Sequence, residues 1–270
     1  MRLPSVFFAV ALIICWVQQC CSMKSFLAPS QASNPAIPVA KVGILWDIDG
    51  TLADSYKHLL RCTNEVLQTA GREPVDEDTF NANPYNTTPM RFSWHLDNTC
   101  TAVTPEGEAL GTKFDALYVS KVSPASVKFY PGLARTIQRL SKAGHPQGVV
   151  SNSVGAYARA VIQANGQWDS FEAMWGVDEL PAPKPAPGGL LKCCRDLQCD
   201  PTTSVYVGDT PSDGQAAQAA GLASIGVTWG HTNLSAAELG PYFDQVVEDV
   251  PALAGALNAF CLAKVWPDGK

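Results

Sequence analysis

The chain predicts an α/β fold: a Rossmann-like parallel sheet core with an inserted helical cap domain. Three observations carry this. Short β-branched runs alternate with stretches of helical periodicity, as a parallel sheet covered by helices requires. The apolar runs end repeatedly in an acid or a hydroxyl, so the polar groups collect at one edge of the sheet. Between residues 57 and 130 the alternation stops and the pattern turns helical and more polar.

In chain order, residues 1–41 are set aside as a targeting leader. Met1 and Arg2 precede an apolar run from Val6 to Val17, about the length of a signal-peptide core and short for a bilayer span. Cys21 and Ser22 then offer a cleavage zone. Ser22 to Lys41 is rich in Ser and Ala, basic, free of acid and broken by proline, as transit peptides are. The two pieces in series resemble the bipartite presequences of algae with secondary or tertiary plastids, and Phe26-Leu27-Ala28-Pro29 is similar to the Phe-x-Ala-Pro motif near their junction. That resemblance implies delivery to a plastid through an ER-type leader, with no stable membrane association once it is removed. The alternative is plain secretion, for which the sequons at Asn86 and Asn233 would matter.

The core is read as residues 42–56 and 131–265. Val42 to Trp46 reads as a buried strand ending at Asp47, Gln147 to Ser151 as a second, Ser204 to Val207 as a third and Ala223 to Thr228 as a fourth. Helices fit Leu133 to Ala143, Ala156 to Ala164 and Gln215 to Ala220, with Gly144 and Gly166 placed to end the first two. Residues 57–130 are read as the cap, with helices over His58 to Ala70, Glu77 to Asn81 and Glu106 to Val122. Asn81 to Met90 between them has loop chemistry.

Four motifs fall at strand ends or on that side of the sheet. In Asp47-Ile48-Asp49-Gly50-Thr51 the two acids point the same way on extended chain, and Gly50 permits the tight turn beyond them. One carboxylate can attack phosphorus while the other moves a proton; a hairpin turn is the plainer reading of Asp-Gly after an apolar run. Ser151-Asn152-Ser153 sets a hydroxyl and a backbone amide before a helix, which makes a phosphate cradle or an ordinary N-cap. Lys184 sits on a loop stiffened by Pro181, Pro183, Pro185 and Pro187, where its ammonium would be fixed over an anion or simply exposed. Gly208-Asp209-Thr210-Pro211-Ser212-Asp213 offers Asp209 to a hard metal, with Asp213 one helical turn on to orient a metal-bound water or Lys184.

These motifs, in this order, resemble the haloacid dehalogenase superfamily, and the resemblance extends from about Val42 to Leu257. It implies Mg2+ and a two-step phosphate transfer. Asp47 would be nucleophile and metal ligand, Asp49 general acid/base and a metal ligand through its carbonyl, and Asp209 the third ligand. Ser151 and Asn152 would hold phosphoryl oxygens, and Lys184 would neutralise charge. Asp49 argues against a dehalogenase, which lacks the second acid. Gly208 to Gly221 and Gly226 to His231 are similar to phosphoglycolate phosphatases, so a small phosphorylated metabolite is the expected partner, with 2-phosphoglycolate first. A sugar-phosphate phosphatase or phosphomutase, and a non-catalytic binding protein with this fold, are the alternatives.

Composition limits the rest. A net charge of −6 without any Lys/Arg run gives no footing for nucleic acid. Cys193, Cys194 and Cys199 cluster, but no His or CxxC partner set exists for zinc, and they read as buried or idle thiols. Arg91 is read as a surface or cap-packing residue ahead of a role in greeting a substrate carboxylate. His231 is read as a rim or loop residue, and Trp94 and His95 as helix packing.

Overall fold

A computed structural model of the protein describes residues 41–84, 87–230, 232 and 234–263. Residues 1–40 of the leader, both sequon asparagines and His231 lie outside the described residues. Six parallel strands form the central sheet: β1 (Ile44–Trp46), β4 (Gln147–Val150), β5 (Ala173–Trp175), β6 (Val205–Gly208), β7 (Ala223–Val227) and β8 (Gln245–Val247). Their order is β5-β4-β1-β6-β7-β8, with Trp46 beside Val149 on one flank and Val207 on the other. The chain runs outward from β1 in both directions, so the crevice for a ligand opens at the carboxyl ends of β4, β1 and β6. The α/β Rossmann-like core expected from the alternation is therefore what the chain forms.

Alternation along the strands builds two apolar layers. Ile44, Trp46, Val149, Val205 and Val207 pack on one face with α5 (Leu133–Lys142), α6 (Gly155–Ala164) and the helix Val250–Ala263. Leu45, Val150 and Tyr206 face α7 (Gly188–Asp196) and α8 (Pro211–Ala220), where Cys193 and Cys194 are both buried. Among the described residues Cys62, Cys193, Cys194, Cys199 and Cys261 are free thiols.

The four predicted strands lie where expected to within two residues. Strands β5 and β8 carry no strong signal: Ala-Met-Trp and Gln-Val-Val are three residues each, too short to show a period. After β1 the chain turns at Gly50, whose φ of 82° suits glycine, and enters β2 (Ala53–Asp54). Helices α1 (Tyr56–Thr69), α2 (Glu77–Asn81), α3 (Thr88–Leu96) and α4 (Pro105–Ser120) follow, and β3 (Lys128–Phe129) returns antiparallel to β2. This β2–β3 stalk brings the two ends of the helical segment side by side, and Tyr130 N–H donates to Leu52 O at 3.0 Å.

Helix α3 corrects the end of the loop reading of Asn81 to Met90, since Thr88 to Met90 form its first turn. Its second residue is Pro89, which the first turn of a helix accepts because that N–H has no intrahelical partner anyway. Arg91 is thereby a helical residue rather than one that follows a turn. Phe80, Phe92, Phe114 and Tyr118 from these helices belong to the same apolar cluster as the β1 face of the sheet.

Candidate active site

Three neighbouring strands each deliver a polar residue at their carboxyl ends. Asp47 follows β1, its N–H donating to Val207 O at 2.9 Å; Ser151 follows β4, and Asp209 follows β6. Lys184 reaches the same place from the proline-rich loop. Its Nζ donates to Asp47 Oδ1 at 2.6 Å, Asp213 Oδ1 at 2.6 Å and Tyr206 Oη at 2.8 Å. An ammonium has three donors, so all are used and the charge is fixed in place. The Tyr206 hydroxyl donates in turn to Val150 O at 2.9 Å.

Asn152 explains how the loop is held. Its Oδ1 accepts the Lys184 N–H at 2.9 Å and its Nδ2 donates to Lys184 O at 3.2 Å. Its side chain thus clamps the lysine's main chain, leaving its backbone amide as the group to meet a phosphoryl oxygen. Ser151 Oγ accepts from Ser153 N–H at 3.0 Å and keeps its own proton for another acceptor. Asp213 caps α8, its Oδ2 accepting from Thr210 N–H at 3.0 Å and Thr210 Oγ1 at 2.6 Å. Both of its oxygens are engaged by the protein, which makes it the anchor of Lys184.

Asp209 is different. Its Oδ1 accepts from Thr51 Oγ1 at 3.1 Å, while its Oδ2, wholly buried, has no hydrogen-bond partner among the described residues. Gly230 lies against it, and a Cβ at Gly230 would sit 2.2 Å from that oxygen. Ligand oxygens of Asp47, Asp209 and Asp213 fall within 4.8 Å of one another. A buried, unpartnered carboxylate oxygen beside two more acids is costly unless a cation meets it. Oxygen-only donors suit a hard divalent ion such as Mg2+.

The electrostatics agree. Asp47 is raised to about 7: burial pushes it up, Lys184 pulls it down, and Asp213 and Asp49 add to the rise. Burial, then the charges of Asp47 and Asp213, raise Asp209 well above the usual carboxylate range. Burial pulls Lys184 down, and Asp213 and Asp47 more than reverse it, so the ammonium is secure. The cluster is short of positive charge by itself.

Asp49 is half-buried and faces the cavity. Its Oδ2 accepts from Ser153 Oγ at 2.8 Å, and its Oδ1 lies 2.8 Å from Tyr157 Oη and 3.1 Å from Tyr118 Oη. Above it opens a cavity of about 390 Å3, whose far wall is built by the inserted helices through Leu59, Phe80, Asn81 and Arg91. The Arg91 guanidinium lies 4.6 Å over the Phe80 ring, and among the described residues it makes no ion pair. Burial lowers it from its ordinary value, with Tyr118 and Asp49 pulling the other way. It lines the cavity and packs on the Phe80 ring at once. His95 packs among Phe80 and Phe92. Tyr118, Tyr157 and Tyr206 are site residues that carry no sequence signal, since each is recognisable only by what the fold sets beside it; Ser153 lies in the strand-end motif, but its bond to Asp49 shows only in the fold.

The family model described as "Haloacid dehalogenase-like hydrolase" matches residues 44–227. The chain belongs to the haloacid dehalogenase-like hydrolases. A phosphoglycolate phosphatase of Rhodobacter capsulatus is 32% identical over 193 residues, 70% of this chain and 84% of that one. One from Agrobacterium fabrum is 31% identical, covering 83% and 94%. Among solved structures, a haloacid dehalogenase-like hydrolase from Bacteroides fragilis superposes with a TM-score of 0.69 at 25% identity, covering 79% of this chain and 99% of that one. Within the family the chain is a hydrolase of the phosphoglycolate phosphatase-like kind.

Proposed function

We propose that this hydrolase cleaves a small phosphate monoester through an aspartyl-phosphate on Asp47, and that 2-phosphoglycolate is its substrate. The observation that carries the reading is the pairing of Asp47 with a fixed ammonium on one side and the unpartnered, buried Asp209 Oδ2 on the other. Asp47 attacks phosphorus, an Asp47–phosphorus bond forming as the ester bond breaks. Asp49 gives its proton to the departing oxygen. Asp49, now a carboxylate, takes a proton from a water that attacks phosphorus, and the acyl-phosphate bond breaks to release phosphate. Lys184 pulls Asp47 towards its charged, nucleophilic form, against the burial that favours the neutral acid. The Ser151 hydroxyl and the Asn152 backbone N–H bind phosphoryl oxygens. Asp47, the Asp49 carbonyl and Asp209 would hold Mg2+, which supplies positive charge against the phosphate.

Residues 57–130 act as a cap in this reading and supply the substrate contacts. Arg91, desolvated and without an ion pair among the described residues, is suited to a carboxylate at the end opposite the phosphate. A cavity of about 390 Å3 suits a small metabolite. The test is phosphate release from a panel of metabolites with Mg2+ or EDTA. 2-Phosphoglycolate is expected to give the highest kcat/KM, and EDTA to abolish turnover. A sugar phosphate outrunning it would overturn the substrate assignment alone, whereas turnover in EDTA would overturn the mechanism.

Among the described residues no helix is long and apolar enough to cross a membrane. We propose that residues 1–41 carry the chain to a plastid. A fluorescent fusion of those residues is expected in the plastid of a cell with ER-routed import, and its secretion would contradict the assignment.

A further inference from the structure

Asp49 lies under an aromatic column that the reaction scheme does not use. Tyr118, on inserted helix α4, stacks on Tyr157, on core helix α6, with ring centroids 4.0 Å apart and planes 17° off parallel. His58, on α1, also stacks on Tyr118 at 4.7 Å. The His58 Nδ1 accepts from Arg61 at 3.0 Å, which leaves the proton on Nε2 to donate to Tyr118 O at 3.2 Å, so the main chain of Tyr118 is held as well as its ring.

Both tyrosines are buried, at 1% and 0% exposure, and both hydroxyls turn towards Asp49 Oδ1. The two hydroxyls also lie 2.8 Å from each other. Each carries one proton, so at most two of these three contacts are donations at once. Either arrangement leaves Asp49 Oδ1 with a donor, and Ser153 serves Oδ2. Phenylalanine would fill the same stack without the cost of desolvating two hydroxyls. The terminal torsion of an aspartate is broad, and proton transfer depends on geometry. A general acid therefore gains from donors that fix its plane.

We propose that Tyr118 and Tyr157 are positioning residues for Asp49, which set its carboxyl group for proton delivery to the leaving oxygen. Tyr118 makes this dependent on the inserted helices, because its hydroxyl crosses from α4 to the core. The proposal rests on the reading of Asp49 as the general acid.

The test uses Tyr118→Phe and Tyr157→Phe, which keep the rings and delete only the hydroxyls, with Asp49→Asn as reference. Two substrates are compared: 2-phosphoglycolate, whose alkoxide must be protonated as it leaves, and p-nitrophenyl phosphate, whose phenolate need not be. The quantity read is the ratio of their kcat/KM values, which reports steps up to departure of the leaving group. A merely structural role would depress both substrates alike and leave the ratio unmoved. The ratio is expected to fall by about 10-fold or more in each tyrosine variant, and further in Asp49→Asn, given the ~100-fold or more typical of a general acid. An unchanged ratio in both tyrosine variants, with a fallen ratio in Asp49→Asn, would overturn the positioning role alone. An unchanged ratio in Asp49→Asn would overturn the general-acid reading and this inference with it.

Discussion

The floor and the roof of the cavity are built on different terms. The floor hangs from three adjacent strands, and almost every polar atom in it is spoken for: Lys184 spends three donors, Asp213 both oxygens, Asn152 both ends of its amide. Among the described residues, Asp209 Oδ2 is the wholly buried carboxylate oxygen left without a partner. The roof is set by α1 to α4 and offers Phe80, Asn81 and Arg91, of which Arg91 has no ion pair among the described residues. A floor with so many of its polar atoms engaged is pre-organised for one chemistry. A roof with an unpaired cation is set for one class of ligand.

Removing a floor residue is the hardest way to test that contrast. Lys184→Met leaves Asp47 and Asp213 buried without their cation. Turnover is expected to fall by roughly 100-fold or more, the scale of losing a buried electrostatic group in an active site. Stability is expected to fall by about 3 kcal/mol, as when one partner of a buried ion pair is deleted. Urea unfolding together with kcat measures both; an active, equally stable variant would break the account of the floor.

The roof is sharpened by Arg91→Gln. Because Arg91 is assigned to the far end of the substrate, KM for 2-phosphoglycolate is expected to rise by about 10-fold or more, from the loss of a charge-assisted hydrogen bond. KM for p-nitrophenyl phosphate, which has no carboxylate, is expected to change far less. Equal changes on both substrates would return Arg91 to a packing role.

The smallest expected effect concerns protons at the floor. Without metal, Asp47 is held up to about 7 in the folded state, whereas unfolded it titrates near 4, at roughly 3.9. Between those values the folded protein holds more protons than the unfolded one, so this site's contribution to stability falls as pH rises from about 4 to 7 and levels off above. Magnesium must displace those protons, so the rise in Tm that it causes should be larger at pH 8 than at pH 5.5. Thermal melts at both pH values, with and without Mg2+, read this; a larger shift at pH 5.5 would contradict it.

The same contrast explains what could be read without coordinates. The floor was legible because strand-end chemistry is local: Asp47 and Asp49 sit two residues apart, Asp209 and Asp213 one helical turn apart, and each pair follows an apolar run. The helix at Leu133–Lys142 announced itself by its apolar face and by the glycine placed to end it. Three of the four roof helices were legible, but α3 and the roles of the roof's side chains were not. Arg91 gains its place from α3, whose Pro89 reads as a loop residue until the first turn of a helix is seen around it. Tyr118 stands 69 residues from Asp49, and Tyr157 stands 108 from it, so no spacing could join them. The three-residue strands β5 and β8 were lost for want of a period.

The central claim is that phosphate passes through Asp47 rather than directly to water. Turnover of a phosphate ester made chiral at phosphorus by oxygen isotopes and sulfur tests this most directly, because each in-line displacement inverts the phosphorus centre. Two displacements, the first by Asp47 and the second by water, predict net retention of configuration in the released thiophosphate. Net inversion would mean a single attack by water and would contradict the account.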